Sequence, residues 1–276
     1  MADVAERVHR YILDGDDADL RRLLGIAEVS ADMARDGFRR AGVAEGWRAL
    51  DCGCGPIGGL AVLAELVGPT GRVVGVDIAP ATVARARQVT AELGLDTVEV
   101  VDGDLHRLDA DRLGGPFDVA FSRLFLMHQP DPVATLRRIG ALLRPGGMLV
   151  LQEPVRAVPP AAHPPLAALG AYWALLHDVM ESAGAAHDAA ADLPRSAVAA
   201  GLEIVHQGGS FGVVSPETGL ALHAGTVAAA RARVAAAGGP VDRIDALAEE
   251  IRAADPSDHD WVSSPFFLDL LLRRPA

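Results

Sequence analysis

The sequence predicts an α/β protein with a doubly wound sheet, in which helices cover both faces of mostly parallel strands. From residue 48 to residue 154, short apolar runs alternate with helix-like stretches and are joined by short turns. This alternation is typical of parallel strands with crossover helices. The first apolar run leads into a glycine-rich turn, Asp51–Gly59, which fits the pattern G-x-G-x-x-G and precedes a helix-like run. The turn therefore indicates a nucleotide-type cofactor.

The elements of this alternation are bounded by turn and capping residues. Pro80 opens a helix that ends at Gly94, and Asp131 with Pro132 caps and opens another that stops at Arg144. The strands are expected at 48–52, 72–77, 97–101, 117–121 and 148–152. Two further helices are expected at 58–67 and near 105–113.

After Pro154 the regular alternation of strands and helices ends, and helices and strands added to the sheet are expected. Residues 157–165 contain four prolines and are predicted to form a linker. Helical stretches within 157–184 and 216–255 are interpreted as two cap insertions above the sheet rather than as a separate domain. The remaining elements expected here are a helix near 193–200, a strand over 202–211 and an apolar, strand-like run over 260–272.

Residues 1–44 are predicted to form an N-terminal helical layer, because apolar residues recur there at helical spacing. Two interpretations stay open. The helices either pack on the sheet, or they form a lid in which Tyr11 and the pair Arg21-Arg22 contact a ligand. Their apolar stripes also leave pairing into a homodimer open.

Composition narrows the class of protein. The formal net charge is −12, which argues against nucleic acid and against anionic membrane surfaces as partners. No apolar run approaches the roughly 20 residues that a membrane span needs. The first ten residues are polar and charged, without the apolar core of a signal peptide. A cytoplasmic enzyme is expected.

Two residue types restrict the chemistry further. Lysine is absent from the sequence, so a Schiff-base lysine and a Tyr-x-x-x-Lys dehydrogenase dyad are excluded. The cysteines, Cys52 and Cys54, stand in the glycine turn without a second pair to complete a zinc site. They are interpreted as small packing residues, and no metal is expected.

The residues around the turn distinguish between cofactors. Asp77 follows the turn by about two dozen residues, where an acid usually binds ribose hydroxyls. A dinucleotide would place its pyrophosphate at the helix N-terminus. Pro56 removes a backbone donor there, and Asp51 places negative charge close by. Charge complementarity therefore favours a cofactor with ammonium and sulfonium groups, S-adenosylmethionine, over NAD.

Five segments in order resemble the motifs of class I S-adenosylmethionine-dependent methyltransferases of the small-molecule, natural-product type. The segments are Asp51-Cys52-Gly53-Cys54-Gly55, Val74-Gly75-Val76-Asp77, Gly103-Asp104-Leu105, Phe117–Ser122 and Leu143–Leu149. The resemblance covers residues 45–154 well, and the rest by architecture. It implies a Rossmann-like, seven-stranded sheet whose final strand, over 264–272, is antiparallel, within a methyltransferase-type domain over 45–276.

The resemblance also implies the cofactor site. Asp77 would bind the ribose, Asp104 the exocyclic amine of adenine, and Leu105 would supply a backbone N–H to the base. The full set of expected cofactor-binding residues is Asp51, Gly53, Gly55, Asp77, Ile78, Asp104, Leu105, Ser122 and Tyr11. The segment Pro56-Ile57-Gly58 after the second glycine departs from the usual motif.

The expected reaction is in-line attack on the sulfonium methyl group by a small organic molecule, expected to be a secondary metabolite, in a capped pocket. A general base helps only when the nucleophile carries a proton. His128 after the fourth strand and His177 on the cap are candidates, and a structural role is the alternative for each. Phe125, Met127, Tyr172 and Trp173 are candidate substrate-pocket residues, with simple core packing as their alternative.

Two other functions stay open at this point. Some proteins of this fold bind the same cofactor and catalyse cyclisation or rearrangement without methyl transfer. An NAD(P)-dependent oxidoreductase is less favoured, because lysine is absent and Asp51 is present.

Overall fold

The computed structural model of the protein describes residues 18–182, 184 and 189–276. Its strands are β1 (Arg48–Cys52), β2 (Arg72–Asp77), β3 (Val98–Asp102), β4 (Phe117–Arg123), β5 (Leu143–Pro154), β6 (Ala162–His163), β7 (Glu203–Ser210), β8 (Val213–Val214), β9 (Trp261–Ser263) and β10 (Phe267–Arg273). Its α-helices are α1 (Ala18–Val29), α2 (Ala31–Ala41), α3 (Leu60–Val67), α4 (Pro80–Glu92), α5 (Ala110–Leu113), α6 (Pro132–Leu142), α7 (Ala167–Ser182), α8 (Ala189–Ala199), α9 (Pro216–Ala236) and α10 (Val241–Ala253).

The main sheet has seven strands in the order β3-β2-β1-β4-β5-β10-β7. Strands β1 to β5 pair in parallel, and β10 runs antiparallel to both β5 and β7. The predicted Rossmann-like sheet with a final antiparallel strand is therefore confirmed. The carboxyl ends of β1 to β5 meet at one edge, where ligands of open parallel sheets bind.

Apolar residues on both faces of this sheet form two buried clusters, because a parallel sheet is covered by helices on both sides. One cluster joins alternate strand residues to α2, α3 and α4, with Phe38 and Leu63 among its members. The other joins the remaining strand residues to α6 and α8, with Leu136 and Leu193 among its members. Pro80 and Pro132 stand in the first turn of α4 and α6, as expected.

A third buried cluster lies in a cap formed by α7, α9 and α10. These helices fall within the two stretches expected as insertions. The cap also contains a small sheet, in the order β6-β9-β8, which the sequence did not predict. The apolar run over 260–272 is therefore divided between two sheets, and Pro265 stands between β9 and β10 because proline cannot donate to a strand ladder.

The N-terminal helices connect the sheet with the cap. Helix α2 packs on β5 and α3, whereas α1 packs on α9 of the cap. The approach of α1 to α9 is close: a Cβ on Gly25 would lie 2.7 Å from Cδ2 of Leu222. The first predicted helical segment and Tyr11 lie outside the described residues, so the lid remains a prediction. Within the described ranges, no helix is long and apolar enough to cross a membrane.

Candidate cofactor site

The glycine turn after β1 is held against β2 by backbone hydrogen bonds. The N–H groups of Gly53 and Cys54 donate to the carbonyl of Val76 at 2.8 and 3.0 Å. Gly55 has a φ of 55°, and a Cβ there would find no atom of the described residues within 4 Å. The turn therefore leaves open space beside a backbone that only glycine adopts readily, as a cradle for a ligand requires.

Asp51 lies beneath this turn, with 2% of its surface exposed. Its Oδ2 accepts a hydrogen bond of 2.7 Å from the N–H of Gly59, at the start of α3. A Cβ on Gly58 would overlap the carbonyl oxygen of Cys54 and lie 2.8 Å from the same Oδ2. Burial raises the pKa of Asp51 to about 7, although the bond from Gly59 and the charge of Arg123 oppose the shift. The Asp51 side chain therefore fixes the conformation of the turn, and when ionised it also places a negative charge beside the turn.

Arg123, at the carboxyl end of β4, is a charged residue near Asp51 that the sequence analysis did not identify. Its Nη1 donates to the carbonyl of Ser30 at 3.2 Å, and its guanidinium lies 5.5 Å from the ring centroid of Phe121. Burial lowers the pKa of Arg123 to about 10, and the charge of Asp51 raises it. An arginine directly after an apolar strand was the available signal, because a charge at a strand's carboxyl end faces the ligand edge.

Asp77 ends β2 beside the cradle. Its Oδ2 accepts from the N–H of Gly55 at 3.1 Å, and its Oδ1 accepts from the N–H of Ala79 at 3.0 Å. The next residue, Ile78, is 68% exposed and offers apolar surface at the same edge. The ribose contact expected for Asp77 and the cofactor contact expected for Ile78 remain predictions that this position allows.

Asp104 and Leu105 lie on the loop after β3, which is joined to β2 by a bond from the N–H of Gly103 to the carbonyl of Asp77. Asp104 Oδ1 accepts from the N–H of His106 at 2.9 Å. Leu105 is buried, and its carbonyl accepts from Nε of Arg138 at 2.9 Å. The loop is therefore fixed close to Asp77, as an adenine site would require.

Ser122 completes this edge from β4. It is fully buried, and its Oγ has no hydrogen-bond partner among the described residues. A buried hydroxyl without a hydrogen-bond partner destabilises the fold, because its bonds to water are not replaced. Together with the open space at Gly55, this hydroxyl fits a site built for a polar cofactor.

The loop after β4 covers the glycine turn. A Cβ on Gly53 would overlap the ring of Phe125, so this ring lies directly against the turn. Leu124, just before it, has a φ of 55°, a conformation that non-glycine residues rarely adopt. Such strain often occurs in loops that shape functional sites.

Glu153 holds this loop from β5. Its Oε1 accepts from the N–H groups of Phe125 and Leu126 at 2.9 and 2.8 Å, and its Oε2 accepts from Met127 at 3.3 Å. Glu153 is fully buried, and burial raises its pKa to about 7. It therefore positions the covering loop.

The two candidate bases have different surroundings. His128 follows Met127 at the end of the covering loop and is exposed at the surface. The protein around it and the charge of Arg233 on α9 lower its pKa to about 4. His177 is buried in the cap, its Nδ1 is 3.0 Å from the carbonyl of Trp173, and the two rings pack edge to face at 4.4 Å. His128 therefore ends the covering loop at the surface, and His177 lies inside the cap.

The four candidate pocket residues likewise divide between two places. Phe125 and Met127 belong to the covering loop, whereas Tyr172 and Trp173 lie in the cap cluster. The Tyr172 hydroxyl lies 2.5 Å from Nδ1 of His223, whose Nε2 lies 2.9 Å from the carbonyl of Ser263. Since Nε2 must donate to that carbonyl, Nδ1 accepts from the tyrosine. Trp173 donates to the carbonyl of Arg156 at 3.0 Å.

Cys52 and Cys54 are buried free thiols, and burial raises the pKa of both. Among the residues that the structure describes, no group of three histidine, cysteine or acidic side chains could hold a metal ion.

A glycine cradle with acids at or just past the carboxyl ends of β1, β2 and β3 is typical of a nucleotide-cofactor site in a Rossmann-like sheet. The family described as "Methyltransferase domain" matches residues 44–196, which is more than half of the chain. The chain therefore belongs to the class I S-adenosylmethionine-dependent methyltransferases, and the cofactor of the family is S-adenosylmethionine.

Known proteins support this assignment. The chain is 42% identical over 106 residues to nocamycin O-methyltransferase of Saccharothrix syringae, covering 38% of this chain and 37% of that protein. It is 35% identical over 113 residues to aklanonic acid methyltransferase DauC of a Streptomyces species, covering 40% and 49%. Each match therefore spans less than half of the relative.

A likeness in fold extends over more of the chain. The solved structure of the [4+2]-cyclase SpnF has a TM-score of 0.55 and 24% identity, and covers 90% of this chain and 81% of that one. At this identity the comparison supports the architecture alone.

Proposed function

We propose that the protein transfers a methyl group from S-adenosylmethionine to a small organic molecule of secondary metabolism. The observation that carries the proposal is the cradle at Gly55, with Asp77 bonded to its N–H and the partnerless Ser122 hydroxyl at the same edge. The natural-product names of the two relatives support a metabolite as the acceptor. The net charge of −12 supports an acceptor that is neither nucleic acid nor part of an anionic membrane surface.

The residues at the carboxyl edge of the sheet are chemically suited to the ammonium group, the ribose and the adenine of this cofactor. Asp51 would offset the charge of the ammonium group, Asp77 would accept from the ribose hydroxyls, and Asp104 with Leu105 would bind the adenine. When bound, S-adenosylmethionine supplies a methyl group activated for nucleophilic attack by its sulfonium. The protein then contributes binding and orientation, because the donor needs little acid catalysis.

His128 is the candidate base for an acceptor that carries a proton. With a pKa of about 4 its ring is neutral at pH 7 and can accept a hydrogen bond from a hydroxyl, and the lowered pKa makes it a weaker base than an ordinary histidine. His177 is the second candidate, although its Nδ1 already has the carbonyl of Trp173 as a partner. Phe125 and Met127, with the cap above them, would exclude water from the reacting atoms.

Cofactor binding tests the proposal without knowledge of the acceptor. S-adenosylhomocysteine at about 100 times its dissociation constant should stabilise the fold by roughly 2.7 kcal/mol. We expect a rise in melting temperature with this ligand and no rise with NAD. A rise with NAD alone would overturn the proposal in favour of an oxidoreductase.

The alternative is an enzyme that binds the cofactor without consuming it and catalyses cyclisation or rearrangement. The fold is compatible with this alternative, since SpnF has the same architecture. Once an acceptor is identified, S-adenosylhomocysteine should form in a one-to-one ratio with product. Product without S-adenosylhomocysteine would favour the alternative.

A further inference from the structure

A cavity lies between α2 and the strands β5, β10 and β7. We call it the flank groove. Its volume is about 660 Å³, within the range of small-molecule sites. Asp36 and Arg40 line it from α2, and Gln152, Asp269 and His206 line it from the sheet. Neither the cofactor site nor the proposed reaction uses this groove.

The floor of the flank groove continues a polar row that starts beside the cofactor site. Arg123 on β4 is the direct neighbour of Gln152 on β5, and Gln152 is the direct neighbour of Asp269 on β10. Residues directly opposite each other on paired strands project to the same face of a sheet. Three polar side chains therefore cross an otherwise apolar face, away from the turn that holds Asp51.

Gln152 supplies a buried polar atom without a partner. Only 2% of this residue is exposed. Its Nε2 donates to Oδ1 of Asp269 at 3.0 Å, which fixes the amide so that Oε1 is turned away from the carboxylate. Within the described ranges, Oε1 has no hydrogen-bond partner. A buried carbonyl oxygen of this kind favours a ligand that donates a hydrogen bond.

The charges near this atom favour a neutral donor. Asp32 and Asp36 on α2 already pair with Arg35 and Arg39 of the same helix. Arg40 lines the groove, and its charge acts on Asp269, which also bonds to Gln152. An ammonium group would meet the Arg40 guanidinium, whereas a hydroxyl would satisfy Oε1 without a charge penalty.

Aromatic residues line the flank groove where the main sheet joins the cap. Phe211 lies between β7 and β8, and Phe266 lies between β9 and β10. Phe211 is 57% exposed, which is unusual for so large an apolar side chain. The two rings offer contact area for the apolar body of a ligand.

We propose that the flank groove is a second ligand site, which binds a hydroxyl-bearing aromatic molecule through Gln152 Oε1 and the rings of Phe211 and Phe266. This inference goes beyond methyl transfer and does not depend on it.

Three naphthalenes test the site on the full chain, without cofactor. Binding of 2-naphthol, 2-methoxynaphthalene and 2-(aminomethyl)naphthalene is measured by calorimetry, and the methyl resonance of Met33, which lines the groove, reports the location. We expect 2-naphthol to bind at least about tenfold more tightly than the other two, because only it presents a neutral donor to Oε1. We also expect it to shift the Met33 resonance.

Substitutions test which residues cause the preference for 2-naphthol. Gln152→Leu should remove the preference for 2-naphthol, whereas the matched control Gln207→Leu, at an exposed position of β7, should keep it. Phe211→Ala is an exposed change that spares the core, and it should weaken 2-naphthol and 2-methoxynaphthalene alike. Equal binding of these two molecules, tighter binding of the amine, or an unmoved Met33 resonance would each overturn the proposal. A failure of cofactor binding would leave this result unaffected.

Discussion

The carboxylate of Asp51 accepts a hydrogen bond of 2.7 Å from the N–H of Gly59, across the glycine turn. One side chain therefore joins the end of β1 to the start of α3. Burial raises the pKa of Asp51 to about 7, so the charge proposed to meet a cofactor ammonium group titrates near neutrality. This relationship makes the cofactor site testable by pH.

The affinity for S-adenosylhomocysteine should depend on the ionisation of Asp51. Below pH 7 the carboxyl must first lose its proton, so affinity should fall toward tenfold per pH unit. Titration calorimetry between pH 6 and pH 8 measures this slope. Asp51→Asn should bind more weakly at pH 8 and lose the slope. Asp118→Asn is the control, since Asp118 bonds to Arg48 and Arg144 on another part of the sheet; an unchanged slope in Asp51→Asn would contradict the assignment.

Replacing Asp77 should weaken cofactor binding directly. Asp77→Asn keeps the size of the side chain but loses the charge that would accept from the ribose hydroxyls, and we expect at least about a tenfold loss of affinity, since bonds to charged groups contribute roughly 1.5–3 kcal/mol. Asp102→Asn is a matched control, because Asp102 pairs with Asp77 in register on the next strand and is exposed. Equal losses in the two variants would count against a specific role for Asp77.

The unfolding free energy of the unbound protein should vary with pH according to the ionisation of Glu153. The pKa of this carboxyl is raised from an ordinary 4.5 to about 7, so the folded state holds its proton more tightly than the unfolded state. Its contribution is therefore fully favourable below pH 4.5, and falls as pH rises to 7. Relative to Glu153→Gln, the wild type should lose about 3 kcal/mol of unfolding free energy between pH 4.5 and pH 8, at 1.36 kcal/mol per pKa unit.

Urea denaturation at several pH values checks this prediction. Glu203→Gln, at an exposed position that pairs with Arg273, serves as the control and should leave the pH profile as in the wild type. A parallel profile in Glu153→Gln would show that Glu153 does not carry the effect.

The cap should depend on the bond between Tyr172 and His223. Tyr172→Phe leaves Nδ1 of His223 buried without its donor, which should cost about 1–3 kcal/mol of unfolding free energy. The double variant Tyr172→Phe/His223→Leu removes both partners, so its loss should be smaller than the sum of the single losses. Chemical denaturation of the four proteins gives the coupling, and strictly additive losses would argue against the bond.

Much of the fold was predictable from local pattern. The alternation of strands and helices over 48–154 needs only apolar periodicity and turn residues, and each predicted strand is present within a few residues. The acids at the carboxyl ends of β1 to β3 lie at one edge for the same reason, since parallel strands end on the same side. The roles predicted for these acids toward the cofactor remain predictions for the binding experiments above.

The structure of the later part of the chain was less predictable, because its strands pair with segments that are far away in sequence. Gln152 and Asp269 are 117 residues apart and yet bond to each other. Within the strand-like run over 260–272, Pro265 marks a break, but no local pattern shows that Trp261–Ser263 pairs in the cap while Phe267–Arg273 enters the main sheet. Partners of this kind follow from packing, which a local pattern does not encode.

The sequence by itself determined the class of fold, the glycine turn and the choice of an ammonium-bearing cofactor over a dinucleotide. These properties depend on residue type and spacing along one segment. The tertiary structure alone decided that Glu153 holds the covering loop, that Arg123 stands beside Asp51, and that Tyr172 is bonded inside the cap. Each of these relationships joins distant segments, and its energy arises from burial that exists only once those segments have packed.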